Sequence, residues 1–259
     1  MSDIFDFVQG SRPLLISMPH VGTRVPPEIS ERFTPEAAAL PDTDWHVDRL
    51  YDFAEDLGAS VLRAKYSRYV IDLNRAPDGQ SLYPGARNTE LCPTTTFGDR
   101  PIYASGQALD LAELPERRET FWRPYHAKLG QELAELKRRH GRALLWDAHS
   151  IHSRVPRFFE GKLPDLNIGT AAGTSAHPET ARRVAEAAQG SDYSQVLDGR
   201  FKGGYITRAY GTPADGTEAI QLELSWATYM NEEAPYAFRE DLAQGIRPVL
   251  KAMIEAALG

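Results

Sequence analysis

The sequence predicts an α/β fold, and three observations carry the prediction. Short apolar runs of strand character, PLLISM, ALLW and AIQLEL, alternate with longer stretches of helical periodicity. The longest helical pattern, residues 115–140, leads almost directly into the run that starts at Ala143, which is an α-to-β step. Each run also delivers groups that can do chemistry: His20 after the first, Asp147, His149 and Ser150 at the end of the second, Glu223 inside the third. In open α/β sheets the ligand crevice lies beyond the carboxyl ends of the strands, because helices cover the faces. With 259 residues, 42% of them hydrophobic, and no internal repeat or compositional break, one domain over residues 1–259 is expected.

Charge and composition exclude several functions. The net charge of -7, a pI near 5.5 and the lack of a Lys/Arg run argue against a nucleic-acid partner. A single cysteine, Cys92, excludes an intrachain disulfide framework. The opening MSDIFDFVQG lacks the basic segment and apolar stretch of a secretion signal, so a cytoplasmic location is expected. No apolar run approaches the about 20 residues needed to span a bilayer, and no membrane partner is expected.

Taken in order, residues 13–18 read as a strand ending at Pro19 and His20. Pro26, Pro27, Pro35 and Pro41 make residues 23–41 a loop with at most a turn or two of helix. Asp42, Thr43 and Asp44 offer N-cap chemistry for a helix to Leu57, with Val47, Leu50, Tyr51 and Ala54 on one face and Gly58 as its stop. Either Asp44 or Asp48 can look from that helix into a site; equally, Asp42 or Asp44 can serve only as a cap and Asp48 as a solvated charge. Residues 60–64 and 68–73 read as paired β runs joined at 65–67, and residues 76–105 as a long irregular segment of the kind that forms lids or binding loops.

The helix at 115–140 carries the stripe Phe121, Tyr125, Leu129, Leu133 and Leu136, is expected to kink or divide at Pro124, and ends before Gly141. Residues 143–150, ALLWDAHS, form a buried strand. A short strand near 165–168 and a helix over 178–189 follow. Residues 198–211, DGRFKGGYITRAYG, bring Arg200, Lys202 and Arg208 among glycines, either as an anion-binding segment or as a hairpin with a basic rim. A strand over 219–224 and an amphipathic helix over 235–258 close the chain.

Two histidines and a helix carboxylate arriving at one sheet edge make a three-ligand set for catalytic Zn2+ with an open fourth position. Imidazole and carboxylate suit zinc better than calcium or magnesium. Glu223 is an acid inside an apolar run, so it must be paired, metal-bound or neutral. Beside a zinc-activated water it would be the general base.

The motifs PHVG, DTDWHVDRLY, YSRYVIDLNR, LYPG, CPTTTFG, DAHS, GRFKGGYITRAYG and QLE resemble the N-formylglutamate amidohydrolase family over nearly the whole chain. The resemblance implies a phosphorylase/hydrolase-like α/β fold, similar to zinc carboxypeptidases, with a mixed central sheet and helices on both faces. It implies zinc-dependent hydrolysis of a small molecule, N-formyl-L-glutamate, to formate and glutamate, the last step of one histidine degradation route. By the same resemblance His20 and His149 are zinc ligands, Asp44 matches the acidic ligand with Asp48 as its competitor, Glu223 is the catalytic glutamate and Arg68 the oxyanion partner. Asn74 and Arg75, in DLNR, would hold one substrate carboxylate, and Arg200, Lys202 or Arg208 the other. His152, in DAHSIHSR, stands where the family would have an arginine, so no anion-binding role is carried over to it. A related acylase acting on another acidic N-acyl amino acid shares every metal residue and remains the alternative. A zinc-stabilised binding protein without chemistry leaves Glu223 and the clustered arginines unexplained.

Overall fold

The computed structural model describes residues 4–80 and 88–259. Among them, seven strands form one mixed sheet in the order β1-β3-β2-β4-β7-β5-β6. The strands are β1 Phe5–Val8, β2 Leu14–Met18, β3 Ser60–Ala64, β4 Ala143–Ile151, β5 Leu166–Gly169, β6 Gln195–Leu197 and β7 Thr217–Ser225. The α-helices are α1 Pro27–Ser30, α2 Pro35–Ala38, α3 Val47–Leu50, α4 Leu114–Arg117, α5 Arg123–His140, α6 Pro178–Gln189, α7 Tyr205–Tyr210 and α8 Glu240–Leu258. β3, β2, β4 and β7 run parallel, while β1 pairs antiparallel with β3 and β5 antiparallel with β7.

The alternation of side chains along the central strands explains how both faces are covered. Leu14, Ile16 and Met18 of β2, Leu144, Trp146 and Ala148 of β4, and Ile220, Leu222 and Leu224 of β7 share one apolar cluster with residues of α3, α6 and α8. The opposite positions, Leu15, Leu145 and Ala219, pack with Tyr125, Leu129, Leu133 and Leu136 of α5 and Ile206 of α7. Further along that second face the same alternation yields Asp147 and His149 on β4 and Gln221 and Glu223 on β7, in register as Asp147 with Gln221 and His149 with Glu223. The parallel arrangement therefore gathers polar groups at the carboxyl edge.

Several expected elements differ. Residues 42–57 do not form one helix: the Asp44 N–H donates to the His20 carbonyl at 3.0 Å, His46 is left-handed at φ 62°, and the helical turns that follow are α3 and a short 3-10 turn at Asp52–Ala54. The loop is thus tied to the end of β2 before a helix can start. Residues 68–73 turn instead of extending the sheet, because the Val70 N–H returns to the Ser67 carbonyl and Tyr69 and Val70 bury against Ile29, Phe33, Ile102 and Tyr103. The 115–140 pattern is divided next to Pro124: α4 ends at Arg117, a π-helical turn spans Arg118–Trp122, and Pro124 lies in the first turn of α5, where its missing N–H costs little. Residues 198–211 form no hairpin but a loop leading into α7, and the last helix starts at Glu240 rather than 235. β1 and β6 had no clear signal in the sequence. The LYPG motif at 82–85 lies outside the described residues.

One buried imidazole gives the fold a pH dependence. His126 of α5 bonds the Leu73 carbonyl at 2.8 Å and the Tyr210 hydroxyl at 3.0 Å. Burial lowers its pKa from 6.5 to about 4, against the Leu73 bond, which favours the charged ring. The unfolded chain takes up this proton first, so the stability is complete above pH 6.5 and falls as the pH drops toward about 4. We expect this histidine to remove about 2 kcal/mol between about pH 7.5 and 5, read from urea midpoints, and His126→Gln to flatten that slope. An unchanged slope in the variant would assign the pH dependence elsewhere.

Candidate metal centre

Three elements converge at the carboxyl edge. His20 follows β2, His149 ends the polar run of β4, and Asp44 sits in the loop clamped to the His20 carbonyl. The three are buried, and each offers a ligand atom within 4.8 Å of the others. Asp44 Oδ2 lies 3.0 Å from His149 Nδ1 and 3.7 Å from His20 Nδ1. His20 Nδ1 is buried without a hydrogen-bond partner, an expensive arrangement for a ring nitrogen unless something else fills its lone pair. Two imidazoles and a carboxylate with one bare nitrogen turned inward fit a divalent metal ion of the zinc type. Asp48, the competing acid, is exposed on α3 and outside the group.

Each imidazole is held from behind by a carboxylate. His20 Nε2 meets Asp72 Oδ1 at 2.7 Å, and His149 Nε2 meets Asp147 Oδ2 at 3.2 Å and Asn74 Nδ2 at 3.0 Å. Burial opposes ionisation of Asp44, but the hydrogen bond to His149 and the nearby His20 ring outweigh it and hold the carboxyl well below its usual range. Burial likewise opposes charge on His149, yet Asp147 and Asp44 raise its pKa well above 6.5. Asp44 and Asp147, which flank His149, therefore favour positive charge at this position.

Glu223, next to His149 in the sheet, is 8% exposed. Burial pushes its carboxyl up to about 8, against the opposing pull of the His149 charge. Gln221 donates to Glu223 Oε2 at 3.3 Å and accepts the Gly204 N–H at 2.7 Å, fixing the amide's orientation.

These groups open onto one cleft. Arg68, Arg75 and Arg200 give it a cationic wall, Asn74, Asn88 and Gln221 line it with amides, and Phe97, Phe158 and Phe201 form an aromatic side. Arg68 is buried, bonds Asp72 Oδ2 at 2.8 Å and lies over the Phe97 ring at 4.7 Å. Arg75 reaches the Thr89 carbonyl and hydroxyl, and Arg200 the Phe158 carbonyl. Asn74 is gripped by α7, where the Ile206 N–H donates to its Oδ1 at 2.8 Å. Gly204 must be glycine here, since a Cβ would fall 2.2 Å from Asn74 Nδ2. Lys202 and Arg208 are exposed and do not line this cleft; the Arg208 Nε donates instead to the Gly203 carbonyl at 3.0 Å. Asp72, Gln221 and the three phenylalanines went unassigned in the sequence. Asp72 had a usable signal, because an acid inside YVIDL poses the same desolvation problem as Glu223 in AIQLEL.

Fold and cleft together define a class: α/β proteins with a candidate metal centre, a buried glutamate and a cationic wall at the carboxyl edge of one sheet. The family model described as N-formylglutamate amidohydrolase matches residues 12–230, and the chain belongs to that family. It is 52% identical to the N-formylglutamate deformylase of Pseudomonas aeruginosa and 51% identical to that of Pseudomonas putida, in each case over 100% of this chain and 97% of the relative. The crystal structure of N-formylglutamate amidohydrolase from Ralstonia eutropha JMP134 superposes with a TM-score of 0.84 at 25% identity, covering 99% of this chain and 97% of that one. No helix among the described residues is long and apolar enough to cross a membrane.

Proposed function

We propose that this protein hydrolyses N-formyl-L-glutamate to formate and L-glutamate with one zinc ion, as the last step of a histidine degradation route in the cytoplasm. The observation that carries the reading is the juxtaposition of the His20, Asp44 and His149 group with Glu223 and three arginines in one cleft. His20, Asp44 and His149 would hold the metal, and its chemistry there is to polarise the formyl carbonyl and acidify water. Glu223 takes the proton of the attacking water and returns it to the leaving amine. Arg68, held by Asp72, faces the charge that develops on the formyl oxygen. Asn74 and Arg75 bind one substrate carboxylate and Arg200 the other, since a guanidinium fork suits a carboxylate. Phe97, Phe158 and Phe201 limit water on the aromatic side.

A substrate panel tests this reading. N-formyl-L-glutamate should be turned over well, N-formyl-L-glutamine poorly and N-formyl-L-leucine hardly at all, because losing a carboxylate opposite a desolvated cation costs about 2 to 5 kcal/mol. Arg75→Ala should lower kcat/KM while the metal content stays that of the wild type. Equal rates on the glutamate and glutamine compounds would refute the paired anchors, and a preference for acetyl over formyl would make the protein an acylase of acidic N-acyl amino acids.

A further inference from the structure

We infer that Asp72 is a positioning residue that sets the His20 tautomer and the Arg68 guanidinium together, so that metal affinity and substrate binding depend on one carboxylate. The inference rests on the metal reading given above. Asp72 has no exposed surface, and each of its oxygens accepts at least one hydrogen bond. Oδ1 accepts from His20 Nε2 at 2.7 Å and from the Asn74 N–H at 2.8 Å. Oδ2 accepts from Arg68 Nη2 at 2.8 Å, and Arg75 Nη1 lies 3.9 Å from it.

The consequence for His20 follows from the two-nitrogen chemistry of imidazole. A ring that donates Nε2–H to Asp72 keeps its lone pair on Nδ1, and Nδ1 is the buried, unpartnered atom 3.7 Å from Asp44. The other oxygen aims Arg68 into the cleft, while the bond to the Asn74 N–H fixes the turn that presents Asn74 and Arg75. An aspartate therefore links a metal ligand to three groups on the substrate side. Asparagine cannot replace it. With its NH2 toward Arg68 it meets another donor, and with its NH2 toward Asn74 it meets the backbone N–H and the His20 Nε2–H. Either flip leaves at least one donor facing a donor.

The test uses the full chain, with zinc as the probe. Zinc affinity is measured by competition with a chromophoric chelator, and steady-state kinetics on N-formyl-L-glutamate accompany it. Asp72→Asn should weaken zinc binding by about 10- to 100-fold, and at saturating zinc it should raise KM as well as lower kcat. Asp48→Asn, on the exposed face of α3, should leave both unchanged. A third readout needs no variant: in zinc-loaded wild type, histidine nitrogen resonances should show His20 protonated at Nε2 and unprotonated, with a zinc-shifted resonance, at Nδ1, which keeps the inference testable if Asp72→Asn does not fold. Zinc affinity in Asp72→Asn within about twofold of the wild type, or the opposite His20 tautomer, would overturn the inference while leaving the metal reading intact. A wild type that binds no zinc would remove the metal reading and this inference with it.

Discussion

Glu223→Gln is expected to lower turnover of N-formyl-L-glutamate by about two to four orders of magnitude while the protein keeps its metal. The substitution preserves shape and removes only the ability to take a proton. Glu223 stands beside His149 in the β4–β7 register, in the cleft, with its carboxyl raised to about 8 by burial. A group poised near neutrality can accept a proton and give it back within one turnover, which a carboxyl at its ordinary pKa does less well. A bound cation would draw that value down, so the loaded protein should work on the alkaline side of a lower limb. Activity retained in Glu223→Gln would pass the proton to another group, with Asp147 the nearest candidate on the same face. Loss of metal in the variant would make Glu223 a ligand instead.

His149→Ala is expected to remove metal and activity together. The imidazole is gripped by Asp44 at 3.0 Å, Asn74 at 3.0 Å and Asp147 at 3.2 Å, so its removal leaves two buried carboxylates without their shared partner. Those groups lie at the carboxyl edge, beyond the two apolar clusters that cover the sheet faces, and the circular dichroism spectrum should remain that of a folded domain. Asp44→Ala should lose metal to a similar extent, whereas Asp48→Ala, exposed on α3, should bind as the wild type does. Full metal occupancy in His149→Ala, or a greater loss from Asp48→Ala than from Asp44→Ala, would break the assigned ligand set.

What was legible in the sequence follows from periodicity. β2, β4 and β7 are buried on both faces and so read as continuous apolar runs, and their polar ends stood out against that background. His20, His149 and Glu223 were visible for this reason. The helix α6 was legible too, through a proline at its start and a clean amphipathic face. What the sequence hid depends on long-range contacts. The run 42–57 has helical spacing, yet the bond from Asp44 to His20 and the left-handed His46 override it, and they are also what turns the Asp44 carboxylate toward the histidines. The run 68–73 has β-type residues, yet it folds into turns that deliver Arg68 and Asn74 to the cleft and set Asp72 behind His20. Propensity is weakest where tertiary bonds shape a site. The basic segment 198–211 showed a related limit. Its composition allowed an anion-binding segment or a hairpin with a basic rim, but of Arg200, Lys202 and Arg208 the fold brings Arg200 to the cleft, because Gly203 and Gly204 turn the chain into α7 and carry Arg208 outward.

Removal and return of the metal separates a metal-dependent hydrolase from a metal-free one. Purified protein is stripped with a chelator, its metal content measured, and its turnover of N-formyl-L-glutamate followed before and after one equivalent of zinc is added. The account predicts that the stripped protein is folded and inactive, that zinc restores turnover at a stoichiometry of about one per chain, and that His20→Ala is not restored under the same conditions. Undiminished hydrolysis by the metal-free protein would contradict it.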